Sequence, residues 1–227
     1  MTRQVDICRS CVDCGVKKCH FGDGAYPDFC LTPSIDETEK AEILKIYEDP
    51  EVHNIMIQAA NVEYEGYCRL TRVEETIEFA RKMGFHKIGI ASCVGLLPES
   101  NILARVLRAH GFEVYGVACK AGAIDKTEVG IDPVCKAIGA NMCNPVLQAR
   151  ELAKAGTELN IVVGLCVGHD ALFYKHSQAL TTTLIVKDRV TGHNPAVPLY
   201  LSERFYKAKL YPPQMTEQDS KEKGTTL

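Results

Sequence analysis

The sequence predicts an α/β fold: a Rossmann-like parallel sheet of about four strands with flanking helices, preceded by a Cys-rich N-terminal module. Short, β-branched apolar runs occur at 86–92 (HKIGIAS), 112–118 (FEVYGVA), 159–165 (LNIVVGL) and 182–188 (TTLIVKD). Helical stretches (ESNILARVLRAHG, NPVLQARELAKAG and HDALFYKHSQA) separate them, the alternation that right-handed βαβ crossovers produce. Residues 1–34, by contrast, hold five cysteines among Gly, Asp and Pro with no sustained apolar period. A bound ligand rather than a core is expected to organise them.

In chain order, the expected organisation is a cluster-binding module at 1–34, a helical segment at 35–85, the Rossmann-like domain at 86–200 and a tail at 201–227. Ser34 is an N-cap candidate for SIDETEKAEILKIYED, whose first turn is acidic and whose Ile43, Leu44 and Tyr47 fall at helical spacing. EVHNIMIQAANVEYEGY and TRVEETIEFARKMG continue the helical period, with Gly84 placed as a C-terminal stop. The polar end TEQDSKEKGTTL is expected to fray.

Composition narrows the function classes. A chain of 227 residues with 46% hydrophobic content can build a core without cysteine staples. A net charge of −3 and the lack of a long Lys/Arg block argue against a nucleic-acid partner. There is no secretory h-region at MTRQVDICRS and no apolar run long enough to cross a bilayer. A cytoplasmic location with no membrane partner follows as the expectation. Eleven cysteines in a reducing compartment then point to metal or redox chemistry rather than disulfides. No G-x-G-x-x-G follows a strand and no G-x-S-x-G elbow occurs, which leaves nucleotide binding and serine hydrolysis unsupported. Nor do Cys11 and Cys14 lie between a strand and a helix, as a thioredoxin-type C-x-x-C would.

Two groups of thiols are candidates. Cys8, Cys11, Cys14 and Cys19 have the spacing C-x2-C-x2-C-x4-C, which shares its first three positions with the bacterial ferredoxin run and then departs from it. The fourth ligand is therefore Cys19 or Cys30. Closely packed two-residue gaps favour a 4Fe-4S cluster over a zinc ribbon, whose knuckles are separated, although zinc remains the competitor.

The second group lies where ligands collect in open parallel sheets, at the carboxyl ends of strands. Cys93, Cys119 and Cys166 each follow a predicted strand, with Gly95, Gly122 and Gly168 within three residues. Cys143 stands before a helix, where the dipole favours thiolate. Any one strand-end cysteine is more often a small core residue; three at one edge are harder to explain that way. Cys68 is a possible extra ligand, and for Cys135 a core role is favoured. His169, beside Cys166, could ligate metal, hydrogen-bond a sulfide, move a proton or simply begin a helix. Asp170 reads as a helix-start charge. Asp188, His193 and Asn194 could line the same edge or merely form the turn around Gly192 and Pro195. Lys120 and Lys126 could balance cluster charge, but loop lysines are usually just solvated.

With these residues placed, the sequence resembles a prokaryotic family of cysteine-rich proteins described as metal-binding, with no assigned reaction. The likeness rests on CRSCVDCGVKKC, IGIASCVGL and the long run from Cys143 to Tyr200, and it implies metal or redox activity. In arrangement, not in motif, the chain is also similar to the Rossmann-like domains of hybrid-cluster and carbon monoxide dehydrogenase proteins. Fold analogy alone fixes no residue's role.

The expectation is thus an iron-sulfur protein in which an N-terminal cluster exchanges electrons with a second cluster on Cys93, Cys119, Cys143 and Cys166. Its partner would be a redox protein or a small molecule, with His169 as the proton carrier if the site is catalytic. A zinc-bearing structural or regulatory protein, or a metal-delivery protein, is the alternative.

Overall fold

The computed structural model describes residues 9–22 and 24–211. The chain divides into two compact units, residues 1–65 and 66–227. In the first, short 3-10 turns at Cys11–Asp13 and Lys18–His20 precede two helices, α1 (Glu37–Ile46) and α2 (Pro50–Gly66). The N-cap of α1 is Asp36 rather than Ser34: its carboxylate accepts the Glu39 N–H at 2.8 Å. The Ser34 hydroxyl instead donates to the Cys30 carbonyl.

The second unit is the α/β domain. It opens with α3 (Arg72–Lys82), started by a capping box between Thr71 and Glu74 and stopped at Gly84, whose φ of 75° lies in the left-handed region that glycine adopts without strain. Then follow β1 (Lys87–Ser92), α4 (Leu97–Ala109), β2 (Glu113–Ala118), α5 (Pro145–Lys154), β3 (Leu159–Val163), α6 (His169–His176) and β4 (Leu180–Ile185). Two short helices, α7 (Ala196–Tyr200) and α8 (Lys207–Leu210), close the described chain. The predicted fraying end at 216–227 lies outside the described residues.

The four strands form one sheet in the order β2-β1-β3-β4, and every neighbouring pair is parallel. The α/β class and the strand count expected from the sequence are therefore observed. The fourth strand runs over 180–185 rather than 182–188; Val186 to Asp188 have already left the ladder. The inner strands β1 and β3 are buried nearly throughout, whereas the outer ones are only partly covered. This is why the inner strands read as continuous apolar runs.

Helix spacing supplies the cover. Ser100, Leu103, Ala104 and Leu107 are the buried face of α4, which packs on β1 and β2; Pro145, Gln148, Ala149 and Leu152 are that of α5, which packs on β1, β2 and α6. The one buried polar break in β3, Asn160, accepts from the Thr157 hydroxyl at 2.8 Å and donates to that of Ser177 at 2.9 Å. Its amide lies across Gly89 of β1, where a Cβ would come within 2.1 Å of the Asn160 Oδ1. Only glycine fits under that side chain.

Candidate functional site

The strand order has one point of reversal. The chain leaves β1 to one side, to form β2, and returns to place β3 on the other. At such a switch point the loops diverge and leave a crevice beyond the carboxyl ends of the strands. Cys93 follows β1 directly, Cys119 follows β2 directly, and Cys166 comes three residues after β3.

The backbone fixes these positions. The Cys93 N–H donates to the Val163 carbonyl at 3.0 Å, and the Cys119 N–H to the Ser92 carbonyl at 2.8 Å, so both cysteines continue the ladder by one rung. The Cys119 carbonyl accepts the Asn144 N–H at 2.7 Å, which draws the start of α5, and with it Cys143, to the same edge. Asn144 caps α5 by accepting the Leu147 N–H at 2.9 Å. Gly164 turns β3 outward at a φ of 65°, and a Cβ there would lie 2.0 Å from the Leu96 Cδ1.

Beneath this edge Gln148, fully buried on α5, donates from its amide to the carbonyls of Ser92 (3.0 Å) and Val117 (2.7 Å), tying together the last rungs of β1 and β2. Nothing in the sequence reading singled it out. The available signal was a polar residue on the i, i+3, i+4, i+7 stripe that α5 buries.

The thiols influence one another. Cys119 is held well above the usual thiol range by its neighbours Cys143 and Cys93 and by burial. Its own Sγ accepts the Val94 N–H at 3.3 Å. Cys93 and Cys143 are lowered, each chiefly by the hydrogen bond from Cys119. Further polar support comes from the Gly95 N–H and Lys187 near Cys93, from Lys120 near Cys143, and from the Arg189 guanidinium, which donates to the Cys166 Sγ at 3.2 Å. Arg189 also feels Cys93 and Cys143, so three of the four sulfurs share its field. His169, the first residue of α6, acts on Cys143 as well, and its Nδ1 is buried without a hydrogen-bond partner.

Other candidates settle differently. Cys135 is exposed, so the core role favoured for it is not what the structure shows: it lies in the 3-10 stretch Pro133–Ile138, on the long connection from β2 to α5. Cys68 is exposed in the turn between α2 and α3 and takes no part in the thiol contacts. Asp188 accepts the Val190 and Thr191 N–H groups, while the His193 Nδ1 takes the Asp188 N–H. Asn194 accepts the Thr191 hydroxyl at its carbonyl. These three form the loop that carries Arg189 to Cys166. Asp170 accepts the Ala171 N–H within the first turn of α6, as a helix-start charge does. Lys120 is at the site, contrary to the solvated role usual for a loop lysine. Lys126 is buried and donates to the Cys135 carbonyl.

In the first unit Cys8 lies outside the described residues. Cys11 and Cys19 are exposed, and Cys14 and Cys30 half-buried. Among the described residues no three His, Cys, Asp or Glu side chains stand close enough, as placed, to hold a single ion. None of the described helices is long and apolar enough to cross a membrane.

The family profile described as "Protein of unknown function (DUF1847)" matches residues 30–184, a span that holds all four sheet-edge cysteines and begins at Cys30. An uncharacterized protein of Methanocaldococcus jannaschii is 45% identical over 200 residues, covering 88% of this chain and 97% of that protein.

Proposed function

We propose that this chain, which belongs to the DUF1847 family, is an iron-sulfur redox protein whose sheet-edge centre is held by Cys93, Cys119, Cys143 and Cys166. The observation that carries the reading is the gathering of these four thiols, from three separate connections, at the switch point of the sheet. Isolated strand-end cysteines packed as small hydrophobes would not share hydrogen bonds or draw cations.

The donor set suits the group. Thiolate is the soft ligand that iron-sulfur clusters take, and N–H donors on the sulfurs are their usual support. A cubane gives each cysteine a different iron, so its ligands stand farther apart than those of one ion. That agrees with an edge that gathers four thiols without focusing three of them on one point. When bound, such a cluster supplies one-electron transfer. The protein's part is to seat the four thiolates, hold two of them away from water and, at His169, keep a proton donor or acceptor beside Cys143 for any substrate that must gain or lose a proton. Cys11, Cys14 and Cys19 or Cys30, with Cys8, are the proposed ligands of a second cluster that exchanges electrons with the first. A reducing, cytoplasmic setting belongs to the same proposal.

One rival is a single thiolate-bound zinc, which would have to draw the sulfurs to about 3.8 Å apart around a 2.3 Å metal bond. Iron, zinc and acid-labile sulfide in protein purified without oxygen separate the two. About eight irons with matching sulfide per chain is the result expected for two cubanes. Zinc without sulfide, persisting after anaerobic reconstitution with iron and sulfide, overturns the proposal. Cys166→Ala should remove the sheet-edge iron and leave the N-terminal iron in place.

A further inference from the structure

The sheet-edge sulfurs stand among donors and cations. The Arg189 guanidinium donates to the Cys166 Sγ at 3.2 Å, Cys119, the most buried of the four, takes the Val94 N–H at 3.3 Å, and Lys187 and Lys120 lie near Cys93 and Cys143, whose pKa values they help to lower. The three cations come from different places: Lys120 follows β2, whereas Lys187 and Arg189 leave β4 on either side of Asp188. Lys120 is further pinned by donating to the Asn141 carbonyl. Arg189 is carried by a closed loop: the Asp188 carboxylate accepts the N–H groups of Val190 (2.9 Å) and Thr191 (3.1 Å), and the His193 N–H returns to the Asp188 carbonyl at 2.7 Å. A surface arginine seeking only solvent would need no such loop.

We infer that Lys187, Lys120 and Arg189 are positioning residues that compensate the charge of a polyanionic thiolate centre and thereby raise its reduction potential. This rests on the reading of the site as an iron-sulfur centre. Four thiolates around an oxidised cubane carry about two negative charges, and a further electron makes the centre more negative still. Cations beside the sulfurs therefore favour the reduced form over the oxidised one, because the added charge interacts with them at close range in a partly water-excluded edge. With three cations set against those charges, the centre is built to accept an electron more readily than a bare four-cysteine site would.

The test is an EPR-monitored redox titration of the full chain, reconstituted without oxygen, with the sheet-edge signal identified as the one lost in Cys166→Ala. Arg189→Met and Lys187→Met should each move that midpoint to more negative potential, and together further than either alone. Arg189→Lys should recover part of the shift, since it keeps the charge and loses only the fork. Lys87→Met, at the amino end of β1 and away from the thiols, removes an equal charge and should leave the midpoint in place. Midpoints in Arg189→Met and Lys187→Met that coincide with that of Lys87→Met overturn the inference; Arg189 is exposed, so its loss does not threaten folding.

Absence of acid-labile sulfide in the wild-type chain would instead be failure of the cluster reading. The cation assignment then still has its own readout, the affinity of the metal-free chain for Co(II), followed by thiolate charge-transfer absorption. Each Met variant should bind about tenfold more weakly, the loss of one charge-assisted hydrogen bond. Unchanged Co(II) affinity overturns it.

Discussion

The two cysteine-rich regions solve the problem of gathering thiols in opposite ways. At the sheet edge the backbone does the gathering: strand register puts Cys93 and Cys119 one rung beyond their strands, and a backbone hydrogen bond brings Cys143 alongside. In the first unit Cys11 and Cys19 ride on short 3-10 turns that hold no buried residue, and Cys14 and Cys30 lie in the connections beside them. Cys119 is 2% exposed and Cys93 7%, whereas Cys11 and Cys19 are open to solvent. A site of the first kind exists before its ligand arrives and depends on the fold. A site of the second kind is completed by the ligand, whose binding free energy then becomes folding free energy.

If that contrast is right, the sheet edge should be sensitive to changes that touch no cysteine at all. Gly164→Ala is the strongest case, because it forces a left-handed φ on a residue with a Cβ and drives that Cβ into Leu96. A destabilisation of about 3 kcal/mol is expected in urea unfolding of the metal-free chain, from backbone strain and overpacking together. Gln148→Ala comes next. It leaves the Ser92 and Val117 carbonyls without their side-chain donor under the thiols, for a cost of about 2 kcal/mol. Iron binding at the sheet edge should weaken with it, as the ends of β1 and β2 lose their tie. Unaltered stability and unaltered iron content in Gln148→Ala would mean that the edge is not held from below.

Thiol labelling sharpens the same comparison without mutation. In reduced, metal-free protein an aromatic disulfide reagent should modify Cys11 and Cys19 at least about tenfold faster than Cys119, read peptide by peptide by mass spectrometry. Burial and the proton retained between Cys93 and Cys143 both slow Cys119. The difference should vanish in urea. Equal rates in the native protein would show that the sheet-edge thiols are no more preformed than the N-terminal ones.

The contrast also explains what could be read from the residues alone. Four apolar runs with helices between them were enough for the parallel sheet, because burial of β1 and β3 on both faces leaves a continuous signal. Cys93, Cys119 and Cys166 were legible as a group once the strands were placed, since a parallel sheet sends every strand's carboxyl end to one edge. The bounds of β4 were not, because Val186 and Lys187 fit a strand as well as their neighbours do and only the ladder shows that they have left it. Lys187 and Arg189 carried no pattern in sequence; their role depends on a loop folded by Asp188 and His193. Gln148 was visible in principle as a polar residue on a buried stripe. The ferredoxin-like N-terminal spacing is legible as chemistry and silent as structure, for a segment of short turns has no periodicity to read.

The smallest effect lies at the opposite end of the sheet and tests whether the two ends are secured independently. The Glu158 carboxylate, just before β3, accepts the N–H groups of His86 (2.6 Å) and Lys87 (2.8 Å), just where β1 begins. Those two donors hold its carboxyl below the usual carboxylate range, and the little burial present opposes them only weakly. A carboxylate stabilised in this way contributes in full above its unfolded value, about 4.3, and loses the contribution as pH falls through its lower folded value. Glu158→Gln keeps the shape and removes the charge, so at neutral pH it should cost about 1 kcal/mol, an amount kept small by solvent at this exposed site. Below about pH 4 the gap between wild type and variant should narrow as the wild-type carboxylate protonates. Because the thiols sit at the far ends of the same strands, iron content in Glu158→Gln should equal that of the wild type, whereas Gln148→Ala lowers it. Loss of iron in both would make the sheet a single cooperative support in which the thiol edge has no local fastening of its own.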